Sequence, residues 1–112
     1  MKDKDKIILT KMLGYIDDIS HFVSAYDFDS FLADKKTVSA CAFVISQIGE
    51  IANEVSDDCQ MANSTIPWKS IRGMRNKIVH DYEGIDFTVL WGTIMTSLPI
   101  LKEQLVNLVE NK

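Results

Sequence analysis

The chain predicts an all-α fold. Apolar residues recur at three- and four-residue steps in several stretches, polar segments without a period separate them, and no stretch reads as a strand, a repeat or a low-complexity tract. A helical bundle is the architecture such stripes build, because each must bury its apolar side against another.

A first amphipathic helix is expected from about Asp5 to Tyr26, where Ile8, Met12, Tyr15, Ile16, Ile19, Phe22 and Val23 keep helical spacing. "DFDSFLADKK" places capping and turn residues around Phe28, Phe31 and Leu32, so it reads as a connector with a brief helix or turn. A second long helix is expected from about Lys36 to Ser56 on the spacing of Val38, Cys41, Ala42, Ile45, Ile48, Ala52 and Val55. Gly49 falls in its middle, where glycine costs roughly 1 kcal/mol relative to alanine. Either a close helix crossing requires it or it is a tolerated defect.

"DDCQMANSTIP" is polar and aperiodic and reads as a loop, with Pro67 suited to the first turn of a third helix that runs to about Val79. "DYEGID" ends that helix, Gly84 supplies turn freedom and Asp86 can cap the segment after it. That last segment, Phe87 to about Val109, is apolar on more than one face, and Pro99 should kink it or open one hydrogen bond. In so small a bundle the cover for those faces is expected to be a second copy of the chain.

With 112 residues, 46% of them hydrophobic and 25% charged, the chain fits one ordered domain spanning residues 1–112. The 12 Lys and Arg against 16 Asp and Glu give a formal charge of -4, which argues against a general nucleic-acid-coating surface. A nucleic-acid role would need a local positive site. No apolar run is long enough for a bilayer and "MKDKDK" is not followed by a secretory signal, so a cytoplasmic protein without membrane contact is expected. Cys41 and Cys59 lack metal-ligand spacing and read as buried reduced thiols.

The chemistry gathers in "RNKIVHDY", Arg75 to Tyr82. At about 100° per residue, Ile71, Met74 and Ile78 form the core stripe of the third helix. Arg72, Asn76 and His80 are successive four-residue steps on another face, and Arg75 flanks them. Two guanidiniums, an amide and an imidazole suit phosphate chemistry. Arginine binds a phosphodiester oxygen in two-point fashion and stabilises charge growing in the transition state, while histidine exchanges a proton near neutral pH.

RNA brings its own nucleophile in the 2′-OH, so such a site needs no metal; Asp81, Glu83 and Asp86 read as cap and solvated charge rather than ligands. Spacing alone leaves His80 open to the alternative of a helix C-terminal cap, and Tyr82 open to that of a half-buried packing residue. One histidine makes an incomplete acid–base site. A two-fold axis at this helix would supply a second Arg75 and His80.

"IPWKSIRGMRNKIVHDYEGID", followed by the apolar final helix, resembles the HEPN superfamily and within it the HepT-like toxins. Their motif is Arg, a polar residue, three residues, then His, extended by x-Tyr, and Arg75, Asn76, His80 and Tyr82 match every position. "KKTVSACAFVISQIGEIANEVS" looks like the family's second long helix, including Gly49–Glu50, so the likeness covers most of the chain.

The resemblance implies an antiparallel four- to five-helix bundle that dimerises with its motifs facing across a cleft. It implies a metal-independent endoribonuclease toxin without cofactors, encoded beside a cognate minimal nucleotidyltransferase antitoxin. By position, Arg75 would hold the scissile phosphate, His80 would be the acid–base group, Asn76 would orient one or the other, and Tyr82 would accept AMP from the antitoxin. Arg72 is a further substrate-binding candidate. The negative charge favours a particular structured RNA, such as tRNA, over bulk message. The competing reading is a catalytically inactive HEPN dimer that binds a nucleotide or the nucleotidyltransferase. Glu50 has no role derivable from chemistry beyond pairing with Arg72 or Arg75 across the bundle.

Overall fold

The computed structural model describes residues 1–80 and 84–110. The all-α expectation holds: the chain folds into a helical bundle around one connected apolar core, with a two-stranded hairpin at the described residues nearest the motif.

Helix α1 (Asp3–Phe22) opens with Asp3 and Asp5 in its first turn, where carboxylates complement the helix dipole, and buries Ile8, Leu9, Met12, Ile16 and Ile19. The short α2 (Phe28–Ala33) is the expected connector helix. Asp27 caps it, accepting from the Ser30 amide while the Ser30 hydroxyl accepts from the Asp27 amide. Helix α3 (Lys35–Ala52) is capped by Asp34, whose carboxylate also accepts from Tyr26 Oη at 2.5 Å and Thr37 Oγ1 at 2.9 Å. Its stripe of Val38, Cys41, Ala42, Ile45, Ile48 and Ala52 packs on α1.

Gly49 lies on that buried side. A Cβ there would stand 3.1 Å from the Ile71 carbonyl oxygen and 3.5 Å from that of Arg72, so the close crossing, and not a tolerated defect, explains the glycine. The backbone just before the motif is thereby pressed against α3.

The stretch expected to be a loop holds a helix, α4 (Asp57–Ala62). It buries one side chain, Cys59, so six residues left no readable period. Ser56 caps it, accepting from the Cys59 amide, and donates through its amide and hydroxyl to buried Asp5 at 2.8 and 2.6 Å. This ties α4 to the first turn of α1.

The expected third helix is two: α5 (Trp68–Arg72) and α6 (Met74–Ile78), interrupted at Gly73 with φ -93° and ψ 0°. The break keeps the stripe, since Ile71, Met74 and Ile78 are all buried. Two short strands also overturn the expectation of none. Val79–His80 (β1) pairs antiparallel with Gly84–Ile85 (β2), and Gly84 takes φ +82°, the turn freedom its position suggested.

Asp86 caps α7 (Phe87–Gly92), accepting from the Val89 amide at 3.0 Å. A π-helical turn, Thr93–Ser97, then leads into α8 (Leu98–Glu110). Proline 99 cannot donate to residue 95 and its ring would crowd that carbonyl. The wider turn lies where an α-helix would have placed the conflict. Trp91 packs on Phe31 and Phe28, with ring centroids 4.9 and 6.1 Å away.

Candidate functional site

Arg75 and Asn76 project from α6, and His80 stands in β1 two residues beyond the helix end; all three are exposed. The helix ends at Ile78, so His80 does not continue the four-residue ladder of Arg72 and Asn76 as a wheel would place it. The hairpin positions it instead. Arg75 Nη1 donates to Asn76 Oδ1 at 3.4 Å, a long contact that lets the amide steady the guanidinium.

Sequence reasoning gave Asp86 only its capping role. In the structure, pairing of Val79 with Ile85 and His80 with Gly84 brings the next residue, Asp86, alongside the imidazole. Asp86 Oδ2 lies 4.0 Å from His80 Nε2, while Oδ1 caps α7. Both side chains are about two-fifths exposed, 44% and 38%. At 4.0 Å the contact is longer than a hydrogen bond, so the carboxylate acts on the ring as a nearby negative charge. Among the described residues, the His80 ring makes no hydrogen bond to a helix carbonyl, as the capping alternative would require. A tight-turn signal in "HDYEG" was the clue that could have placed Asp86 next to His80.

Arg72 ends α5 and donates to Gln60 Oε1 of α4 at 2.8 Å. Glu50 is exposed and, among the described residues, forms no ion pair with Arg72 or Arg75. Tyr82, with Asp81 and Glu83, lies outside the described residues.

The charge the chain lacks overall is present locally. From Pro67 to His80 there are Lys69, Arg72, Arg75 and Lys77 and no carboxylate, so the remainder carries eight cations against sixteen acids. That run can receive a polyanion. Away from it, both cysteines are buried free thiols. Burial pushes Cys41 up to about 11 and, together with the Asp5 charge, raises Cys59, so neither is a ready nucleophile.

Residues 12–108 match the family model described as Ribonuclease HepT-like. The chain belongs to this family. A HepT-like relative, the probable ribonuclease HepT of Thermococcus cleftensis, is 35% identical over 91% of this chain and 93% of its own length. Two more, each named a putative RNase, are 29% identical: one from Methanocaldococcus jannaschii over 95% of this chain and 91% of its own, one from Caldanaerobacter subterraneus over 80% of each. No solved structure matches. The family is a ribonuclease family, and the HEPN resemblance carried by Arg75, Asn76 and His80 agrees with it. No helix among the described residues is long and apolar enough to cross a membrane.

Proposed function

We propose that this HepT-like chain is a metal-independent endoribonuclease toxin whose site is completed by a second copy. One observation carries the reading: in a ribonuclease-family chain, a run of four cations without a carboxylate ends at an exposed histidine that has a carboxylate 4.0 Å from its ring. Arg75 binds the scissile phosphate and stabilises charge on its non-bridging oxygens, and Asn76 steadies that guanidinium. His80 accepts the proton of the substrate 2′-OH as its oxygen bonds to phosphorus. The bond from phosphorus to the 5′ oxygen breaks, and that oxygen takes a proton from the second copy's imidazole, leaving a 2′,3′-cyclic phosphate and a 5′-hydroxyl. Arg72 extends the phosphate track.

The same reading assigns a cognate minimal nucleotidyltransferase as antitoxin and Tyr82 as its target. AMP on Tyr82 would place phosphate charge two residues from His80, where the RNA phosphate must bind, and so repel and obstruct it. Co-expression with such a partner should add the mass of one or more AMP groups to the wild-type protein and none to Tyr82→Phe.

Expression in a bacterial host tests the toxin role. Produced alone, the wild type should slow growth and His80→Ala should relieve it. Equal harmlessness of the two, with Tyr82 unmodified by mass, would point to the inactive dimer that binds nucleotide or nucleotidyltransferase.

A further inference from the structure

Gln60, on α4, holds two groups at once. Its Nε2 donates to the Val55 carbonyl at 2.9 Å, just past the end of α3, and its Oε1 accepts from Arg72 Nη1 at 2.8 Å. The amide is thus anchored at one end and aims the guanidinium at the other. Arg75 likewise leans on an amide oxygen, that of Asn76, and among the described residues neither arginine forms an ion pair with a carboxylate. An amide fixes direction without cancelling charge, so each guanidinium keeps its full charge and its remaining N–H groups for an incoming anion.

Arg72 also lines a groove of about 430 Å³ between α4 and α5, whose wall includes Gln60, Met61, Ser64, Pro67 and Lys69 and no Asp or Glu. The groove shares a face with the motif. At about 100° per residue Lys69, Arg72, Arg75 and Asn76 fall within roughly 120° of one another. All four are exposed, and the buried stripe of Ile71, Met74 and Ile78 runs through the Gly73 break away from them.

We propose that this groove carries the RNA backbone flanking the scissile phosphate, with phosphates on Arg72 and Lys69, and that Gln60 is the positioning residue that presents Arg72 to it. The proposal rests on the ribonuclease reading and adds to Arg72 a second cation, a groove and a support from outside the motif. A wall with two cations and no acid suits a polyanion. Residues three and four apart on a helix are neighbours, so a strand bound at Arg75 and Asn76 meets Arg72 one turn earlier and Lys69 one turn before that. The groove reads no base, since its charged groups meet phosphate alone.

Binding of tRNA across a range of salt tests this, in protein carrying His80→Ala so that the RNA stays intact. Adding Arg72→Ala or Lys69→Ala should weaken binding about tenfold at low salt and make the slope of log affinity against log salt shallower by about 1. Lys102→Ala removes the same charge outside the groove, from a residue of α8 paired with Asp17 at 2.9 Å, and should leave the slope as it was. Gln60→Ala should weaken binding when Arg72 is present and add nothing to Arg72→Ala, a coupling that plain structural damage would not show. Unchanged slopes in Arg72→Ala and Lys69→Ala, an equal fall in Lys102→Ala, or no salt-dependent binding of tRNA would each overturn the groove. A Gln60→Ala cost of the same size in both backgrounds would overturn the positioning role. Because the readout is binding, RNA cleavage by the protein with His80 intact alongside unchanged slopes loses only the groove. The predicted slopes without any cleavage lose only the nuclease reading.

Discussion

Asp86 does two jobs with one carboxylate: Oδ1 caps α7 and Oδ2 stands beside His80. The two are separable by mutation. Asp86→Asn should keep the cap, because asparagine caps as well as aspartate, but lose the charge that holds the imidazole. RNA cleavage should fall while Tm stays near wild type, and the fall should be smaller than the roughly 10²–10⁴-fold expected of His80→Ala. Asp86→Ala should lose activity and about 1 kcal/mol of stability together, read by thermal melting. Unchanged cleavage in Asp86→Asn would remove Asp86 from the chemistry.

Among the described residues, Asp5 is the buried carboxylate whose ionisation the fold uses. At 2% exposure, burial opposes its charge, yet the hydrogen bonds from the Ser56 hydroxyl and amide, with Lys2 and Lys4 nearby, outweigh that and hold its carboxyl below the usual 3.8. A depressed folded-state value means the contribution is whole above about 3.8 and is lost as pH falls through the lower folded value. Asp5→Ala should cost about 1–3 kcal/mol at neutral pH by leaving the Ser56 donors without their acceptor. Its stability should also decline less steeply than that of the wild type as the solution is acidified below that range.

Among the elements, Gly49 separates two kinds of glycine. Gly49→Ala would put a methyl 3.1 Å from a backbone oxygen of α5 and should destabilise by about 1–3 kcal/mol, whereas Gly14, with nothing within 4 Å of the same methyl, should gain about 0.5–1 kcal/mol as alanine. Chemical denaturation of both variants checks the contrast. The long helices were legible because α1 and α3 each repeat an apolar stripe over several turns. Helix α4 was not, since its single buried Cys59 sits in a polar segment and its cap, Ser56, bonds to Asp5 from 51 positions away. The hairpin escaped for a related reason: two-residue strands show no alternation, and a motif read on a helical wheel carried His80 past the point where the helix stops.

At the scale of the whole molecule, the final helical segment leaves Phe87, Met95 and Ile100 exposed at 43%, 54% and 56%, with Val89 near them in sequence. Such side chains on a 112-residue chain favour a second copy as cover, and light scattering should give twice the 12.7 kDa chain mass. A monomer at micromolar concentration would remove the composite site. The candidate residues Arg75, Asn76 and His80 were readable from the motif, but the charge at His80 was not read there, because a turn signal alone does not fix the strand register that sets Asp86 beside the ring.

The most direct test is incubation of purified wild type, Arg75→Ala and His80→Ala with tRNA and total RNA in excess EDTA, with intact masses recorded for each protein. Cleavage by the unmodified wild type alone, leaving 2′,3′-cyclic phosphate ends, is the predicted result. No cleavage by unmodified wild type, or equal cleavage by all three, would contradict a nuclease site built on Arg75 and His80.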